Sequence, residues 1–337
     1  MSLVTSTAES PAAAGTHALK RSLPSLYFQL TKARLSAMAV LTTAVGFVMG
    51  STQAIDWPKM WWTIAGTALA AGAANALNQL AEVRRDGLMR RTRDRPLPSG
   101  AMGAMHGFVL AMVMACTGLA ILGLLVNLAA AGLALLTILV YILLYTPLKT
   151  RTIFNTLVGA VCGAIPPLIG WVAAGQRLDG GAWILAALLF VWQIPHFFAL
   201  AWLYRDDYLR GGFRMLPAID HSGRLTGQVV LLGSLALLPL GLAATVWGLT
   251  GWVYAVGSIL LGACVLGLGA RLCARRTQAN ARAVFLASII YLPILLCLMV
   301  VDRSPSPGDA PESSASIGVA HLPMSVAARE HSGLPGK

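Results

Sequence analysis

Charge is scarce in this sequence. Asp, Glu, Lys and Arg together make up 11% of its 337 residues, against roughly 25% for a soluble domain, while hydrophobic residues reach 57%. That balance excludes an ordinary water-soluble globule and places most of the chain in a bilayer. Acids are scarcer still, 13 against 25 basic residues. The resulting net charge of +12 does not describe a nucleic-acid surface, because the cations are sorted by loop. Cysteine is sparse and unpaired in sequence. Cys116, Cys162, Cys264, Cys273 and Cys297 stand singly, four of them inside apolar runs, with no metal-site or redox-motif spacing. The first 34 residues lack a long apolar core followed by a small-residue cleavage site, so no cleaved secretory signal is expected.

Apolar runs are what the chain has. Nine stretches, at 35–53, 60–81, 105–125, 128–146, 153–174, 182–204, 229–247, 252–270 and 283–301, are long enough to cross about 30 Å of hydrocarbon as helices. Several are rich in Gly and Ala, which suits close helix–helix approach in lipid. The third and fourth are joined by almost nothing and form a tight hairpin. An all-α, polytopic bundle of nine transmembrane helices over 25–302 is therefore expected. It is flanked by a flexible segment at 1–24 and by a Ser-, Pro-, Ala- and Gly-rich tail at 303–337 read as disordered. With the N-terminus on the cytoplasmic side, 20 of the 25 Lys and Arg residues fall in cytoplasmic segments, which sets the orientation and leaves the C-terminus outside.

The charge that exists is concentrated. Six arginines and three acids crowd LNQLAEVRRDGLMRRTRDRPLPSG at the end of the second span. Asn78, Glu82 and Asp86 recur every four residues, so on a continuing helix they drift only about 40° per step and share one face. Two carboxylates and a carboxamide in that array suit Mg²⁺, which takes one or two protein carboxylates plus substrate oxygens. Arg90, Arg91, Arg93 and Arg95 are then placed to neutralise a departing diphosphate. Pro96 and Pro98 stiffen the loop around Arg93 and Arg95. The plain alternative is that the acids pair with neighbouring arginines and the arginines face lipid headgroups.

A second polar loop on the same side, WQIPHFFALAWLYRDDYLRGGFRMLP, carries Asp206, Asp207 and Tyr208 among Arg205, Arg210 and Arg214. Gly211 and Gly212 permit a bend that folds it over a cavity as a lid; a solvated hinge is the alternative. His196 sits within the preceding apolar run. It is either a hydrogen-bonded core residue or a functional group at depth, and histidine is a common haem ligand. Lys149 and Arg151 open the fifth span, where Pro166 and Pro167 mark a bend.

These two segments, with YTPLKTRTIFNTLVGAVCGAIPPLIGW, resemble the UbiA superfamily of intramembrane prenyltransferases, and within it the haem O synthase (protohaem IX farnesyltransferase) branch. The resemblance covers roughly residues 25–300. It implies transfer of a farnesyl group from farnesyl diphosphate to a vinyl group of haem b, with Mg²⁺ as cofactor. The short N-terminal segment favours the bacterial inner membrane over a mitochondrial one, and haem A synthase or oxidase assembly factors are candidate partners there beside the lipids. The resemblance implies Asn78, Glu82 and Asp86 as metal ligands, with Asp207 beside them in the catalytic set. Arg90, Arg93, Arg95, Lys149, Arg151 and Arg205 are implied for diphosphate, and His196 and Tyr208 for haem. Lys149 and Arg151 are also candidates for the haem propionates, and Trp192, Phe197 or Trp202 for sheltering a cationic isoprenoid. The chain departs from the family pattern at Glu82, where Asp is usual, and at Ala33, where Pro is usual. Asp206 is followed four positions later by Arg210 rather than by a second Asp-rich motif, which fits the haem branch. Two rivals stand beside this reading: a UbiA-type enzyme acting on an aromatic or quinone precursor, and a transporter or haem carrier without catalysis.

Overall fold

The computed structural model describes residues 22–304, so the expectations for 1–21 and 305–337 lie outside the described residues. Thirteen helices follow in order: α1 Leu23–Leu30, α2 Ala33–Gly50, α3 Trp57–Leu88, α4 Ala104–Ile121, α5 Leu128–Leu139, α6 Thr146–Leu148, α7 Asn155–Ala173, α8 Gly180–Leu203, α9 Arg205–Arg210, α10 Leu216–Ile219, α11 Arg224–Val246, α12 Trp252–Ala274 and α13 Gln278–Val301. No strand occurs among the described residues; the one β-bridge joins Thr250 to Arg303. Eight helical segments are long and apolar enough to cross a membrane. α3, expected as the ninth, has the length but carries Asn75, Asn78, Gln79, Glu82 and Asp86 on its second half. Its 32 residues rise about 48 Å, well beyond the roughly 30 Å of a hydrocarbon core. The excess length brings the acids to the rim.

Helix starts are capped where the sequence supplies a short polar side chain. Asp56 accepts from Lys59 N, Asn127 from Ala130 N, Asp179 from Ala182 N and Thr277 from Asn280 N. Asn127 is the single residue of the expected hairpin. α4 runs into a π-helical turn, Leu122–Val126, and α5 into another, Val140–Tyr145, ahead of α6. Neither turn is legible as a break in apolar periodicity.

α7 is the central helix, with 67% of its span buried inside the protein against 17% for the segment from α5 to α6. It packs on α2 at glycine contacts. A Cβ on Gly46 would overlap the Pro167 carbonyl, and one on Gly170 would overlap the Thr43 carbonyl. Thr43 Oγ1 donates to Pro166 O at 3.0 Å across the same contact. Outward faces carry leucines and valines such as Leu124, Leu128, Val246 and Val301, each more than 80% exposed. In water that would be unfavourable; facing lipid it is the stable arrangement. Six exposed tryptophans, Trp57, Trp61, Trp62, Trp183, Trp247 and Trp252, lie near the helix ends remote from the acids and form an interfacial belt.

Candidate functional site

The last turns of α3 place Asn78, Glu82 and Asp86 on one buried face, at 0%, 4% and 1% exposure. Each is held by a cation from a different element. Lys32, which caps α2, donates from Nζ to Asn78 Oδ1 at 2.8 Å. Lys149, just beyond α6, lies 2.8 Å from Glu82 Oε1 and 2.9 Å from Oε2. Arg95, from the loop at 89–103, meets Asp86 Oδ2 at 2.7 Å. Asn78 Nδ2 donates to Thr146 Oγ1 at 3.1 Å, which fixes the orientation of the amide. The ammonium of Lys149 also sits over the Tyr145 ring at 4.5 Å. With Lys32 protonated, three cations against two carboxylates leave one net positive charge, so the face favours an anion.

Lys32 went unremarked in the sequence, where it is one basic residue in LTKARL. It is the only non-glycine with positive φ among the described residues, at φ 47° and ψ 52°, a conformation that costs roughly 1–2 kcal/mol. Burial, then the neighbouring Arg95 and Lys149 charges, lower its pKa to about 7, with Glu82 and Asp86 opposing. A strained backbone that carries a buried cation to a polar face belongs to a site rather than to packing. Nothing in the local residue pattern announces that geometry.

The second loop folds onto the first. Asp207, buried on α9, accepts from Arg90 N at 3.2 Å and Arg91 N at 3.3 Å and pairs with Arg210. Burial alone would raise its pKa, but the hydrogen bonds from Arg210, Arg90 and Arg91 outweigh it and hold the carboxyl below its ordinary value. Tyr208 Oη accepts from Arg91 Nη2 at 3.3 Å, and the Arg91 guanidinium lies over the Tyr204 and Tyr208 rings. Farther along, Arg214 N donates to Lys149 O at 2.7 Å, and Asn155 Nδ2 to Arg214 O at 3.0 Å. Asp207 and Tyr208 thus fasten one loop to the other; their partners are Arg90 and Arg91 on that loop and Arg210 on α9 itself, none of them on the acid face.

The expected residues therefore divide. Asn78, Glu82, Asp86, Arg95 and Lys149 converge. Arg90 contributes its backbone N–H to Asp207. Arg93 is exposed and 4.0 Å from Asp94. Arg151 is exposed, and its carbonyl accepts from Arg214. Arg205 lies over the Trp202 ring and 3.8 Å from Asp206. His196 faces α13, where its Nδ1 meets Ser288 Oγ at 2.8 Å, whereas Gln193, one turn earlier, faces α7 through Ala160 O.

The acid face fits a hard divalent cation in its donor chemistry. All three side chains offer oxygens, and Glu82 Oε1, although near Lys149, receives no directed hydrogen bond. Among the described residues no three His, Cys, Asp or Glu side chains form a self-sufficient cage. Mg²⁺ commonly binds that way, through one or two carboxylates and substrate oxygens.

A bundle of lipid-facing helices with a buried, cation-ringed acid face at one end defines an integral membrane protein whose ionic site meets the lipid–water boundary. The sequence profile of the UbiA prenyltransferase family matches residues 39–292, and the chain belongs to that family. It is 40% identical over 286 residues to a protein of Solibacter usitatus named protoheme IX farnesyltransferase, covering 82% of this chain and 98% of that one. A mitochondrial protein of the same name from Homo sapiens is 42% identical over 85% of this chain, which spans 64% of that relative's length. Among solved structures, a digeranylgeranylglyceryl phosphate synthase superposes with TM-score 0.69 at 17% identity, over 82% of this chain and 97% of that one. A UbiA homologue from Archaeoglobus fulgidus bound to DMAPP and Mg²⁺ superposes with TM-score 0.61 at 15% identity, over 82% and 100%. These two confirm the fold.

Proposed function

We propose that this prenyltransferase moves a farnesyl group from farnesyl diphosphate to a vinyl group of haem b, giving the hydroxyethylfarnesyl arm of haem O. What carries the reading is 40% identity over nearly the full length of the Solibacter relative of that name. The buried, cation-ringed carboxylates at the rim agree with it. Asn78, Glu82 and Asp86 would hold Mg²⁺, which supplies Lewis-acid neutralisation of the diphosphate when bound. The Mg²⁺ bound by the Archaeoglobus homologue supports a divalent ion in this fold.

The chain's own residues do the rest. Lys32, Lys149 and Arg95 exchange their resting partners on α3 for the donor's diphosphate oxygens, so their charge is already desolvated and aimed when the anion arrives. Thr146 keeps the Asn78 amide turned, and Asp207 keeps the arginine loop in place as a positioning residue. As the allylic C1–O bond breaks, the diphosphate takes the electron pair. The terminal vinyl carbon forms the new bond to C1. Water then captures the cation left on the other vinyl carbon and releases a proton. No protein nucleophile is required.

The orientation follows from the basic residues: the acid face, with the arginine loops, is cytoplasmic in a bacterial inner membrane, and the tryptophan belt is periplasmic. Haem A synthase and oxidase assembly factors are the candidate partners for handing on the product. The deciding experiment supplies membranes with haem b, farnesyl diphosphate and Mg²⁺ and reads the product by mass. A farnesylated, hydrated haem is expected. Farnesylation of 4-hydroxybenzoate in preference to haem would establish the quinone-precursor rival, and failure to release diphosphate with either acceptor the non-catalytic one.

A further inference from the structure

At the acid-bearing end of the bundle, α8 and α13 part around a cleft of about 200 Å³, lined by Leu203, Tyr204, Gln278, Arg282, Phe285 and Leu286. The four α13 residues fall at i, i+4, i+7 and i+8, one stripe of a helix. Gln278 and Arg282 come first, so the polar groups stand at the helix end with the apolar ones a turn deeper. Below the cleft the stripe runs on through Ile289 and Ile290, exposed like Leu286 among the described residues.

Five arginines and no acid lie between Asp220 and Asp302 in the sequence. Four of them, Arg271, Arg275, Arg276 and Arg282, gather at the turn from α12 to α13, and all four are exposed. Cations are retained on the cytoplasmic side of a membrane, and that alone accounts for a basic turn. Arg282 differs from the other three in place. It stands a full turn inside α13, on the wall of the cleft, and none of the ion pairs among the described residues involves it. On the facing wall, the Tyr204 ring carries the Arg91 guanidinium at 4.9 Å, so the cleft adjoins the loop that supplies Arg95 to the acid face.

We propose that this cleft holds one anionic glycerophospholipid of the surrounding leaflet, with its headgroup phosphate on Arg282 and Gln278 and an acyl chain along Phe285, Leu286, Ile289 and Ile290. A guanidinium fork matches phosphate geometry, and an arginine about 6 Å below the helix end reaches the headgroup layer while its stem stays on apolar surface. A free phosphate would use the arginine and leave the apolar stripe bare. A zwitterionic lipid brings its own cation into a rim that holds four arginines and no acid, so the charge favours an anionic headgroup.

The test reconstitutes the full-length protein in phosphatidylcholine nanodiscs and adds, as a trace, phosphatidylglycerol or phosphatidylcholine carrying a nitroxide on one acyl chain. Electron spin resonance reads the fraction of label held against the protein. The parent is expected to hold the phosphatidylglycerol label about fivefold more tightly, the scale of one arginine's attraction to an anionic leaflet. Arg282→Gln, at an exposed position, should remove most of that preference. Arg276→Gln, which takes the same charge from the turn, should keep it. Leu286→Trp, which fills the cleft without touching charge, should release the label too. Equal holding of the two lipids by the parent overturns the site. So do equal losses in Arg276→Gln and Arg282→Gln, which would make the preference a property of the whole basic rim, and a label still held in Leu286→Trp. Displacement of the label by haem b and not by unlabelled phosphatidylglycerol would give the cleft to a different acid, and overturns the proposal as well. The readout needs no turnover, so the lipid site stands or fails apart from the haem reading.

Discussion

Glu82 and Lys149 bury opposite charges within 2.8 Å of each other, at 5% and 10% side-chain exposure. Such a pair is costly to break from one side, because the survivor stays charged and desolvated. Lys149→Met is therefore expected to cost about 3 kcal/mol of stability. Adding Glu82→Gln should return most of it, while Lys149→Met, Glu82→Gln alone and the double variant should all lose activity. Thermal unfolding in detergent measures the coupling, and strictly additive losses would show that the pair is not one unit. The same burial argument divides the basic residues. Arg95 touches Asp86 and is three-quarters buried, so Arg95→Ala should lower kcat/KM by about 100-fold, the scale of one preorganised donor to a developing anion. Arg93→Ala and Arg151→Ala, both exposed, should stay within about threefold by the same reasoning. Equal losses at Arg93 and Arg95 would place the diphosphate in the loop rather than on α3. The four-residue spacing made the acids legible, since it is a property of any helix. Which arginine turns inward was not legible, because that depends on where a proline-bounded loop crosses back over α3.

Between elements, Asp207 is the buried contact that joins the two rim loops, beside the more exposed Tyr208–Arg91 pair. Its folded carboxyl is held below the ordinary value of 3.8, so it contributes stability above that value that is lost as pH falls through the lower, folded one. The latch is thus closed at neutral pH and opens in acid. Hydrogen exchange of the Arg90 and Arg91 amides should accelerate below pH about 4, the ordinary carboxylate range. Asp207→Asn should show faster exchange already at neutral pH, with quicker tryptic cleavage between Arg90 and Arg95. Protection unchanged in Asp207→Asn would mean that other contacts hold the loop. The second loop was legible as polar and hinged, with glycines at 211 and 212, and Gly212 has φ 70°. Its partner was not, because hydrogen bonds from backbone amides 117 and 116 residues away leave no trace in local pattern. Helix contacts were legible in the same partial way. Glycine in α2 and α7 signalled close approach, and Gly170→Val, which would drive carbons into the Thr43 carbonyl, should prevent stable assembly of that pair.

At the scale of the molecule, one end gathers the acids and most cations, and the other gathers tryptophan. Apolar run length made the bundle legible, because about 20 residues must cover the hydrocarbon whatever they pack against. The extent of α3 was partly legible: the apolar run ends at 81, the four-residue spacing of Asn78, Glu82 and Asp86 supposes a continuing helix, and the backbone continues as helix to Leu88. That continuation sets the depth of the site, since it carries Glu82 and Asp86 past the apolar slab while keeping them under the arginine loop. The two ends then face different compartments, and the proposed orientation can be tested at each. Arginine and lysine are retained on the cytoplasmic side, so Ser99, exposed in the loop after Arg95, should be cytoplasmic. Thr52, exposed between α2 and α3, should be periplasmic. With a membrane-impermeant maleimide, Thr52→Cys should label in intact spheroplasts and Ser99→Cys only after lysis, each read against the parent's own cysteines. The reverse pattern would put the acid face outside, where a cytoplasmic supply of prenyl diphosphate cannot reach it.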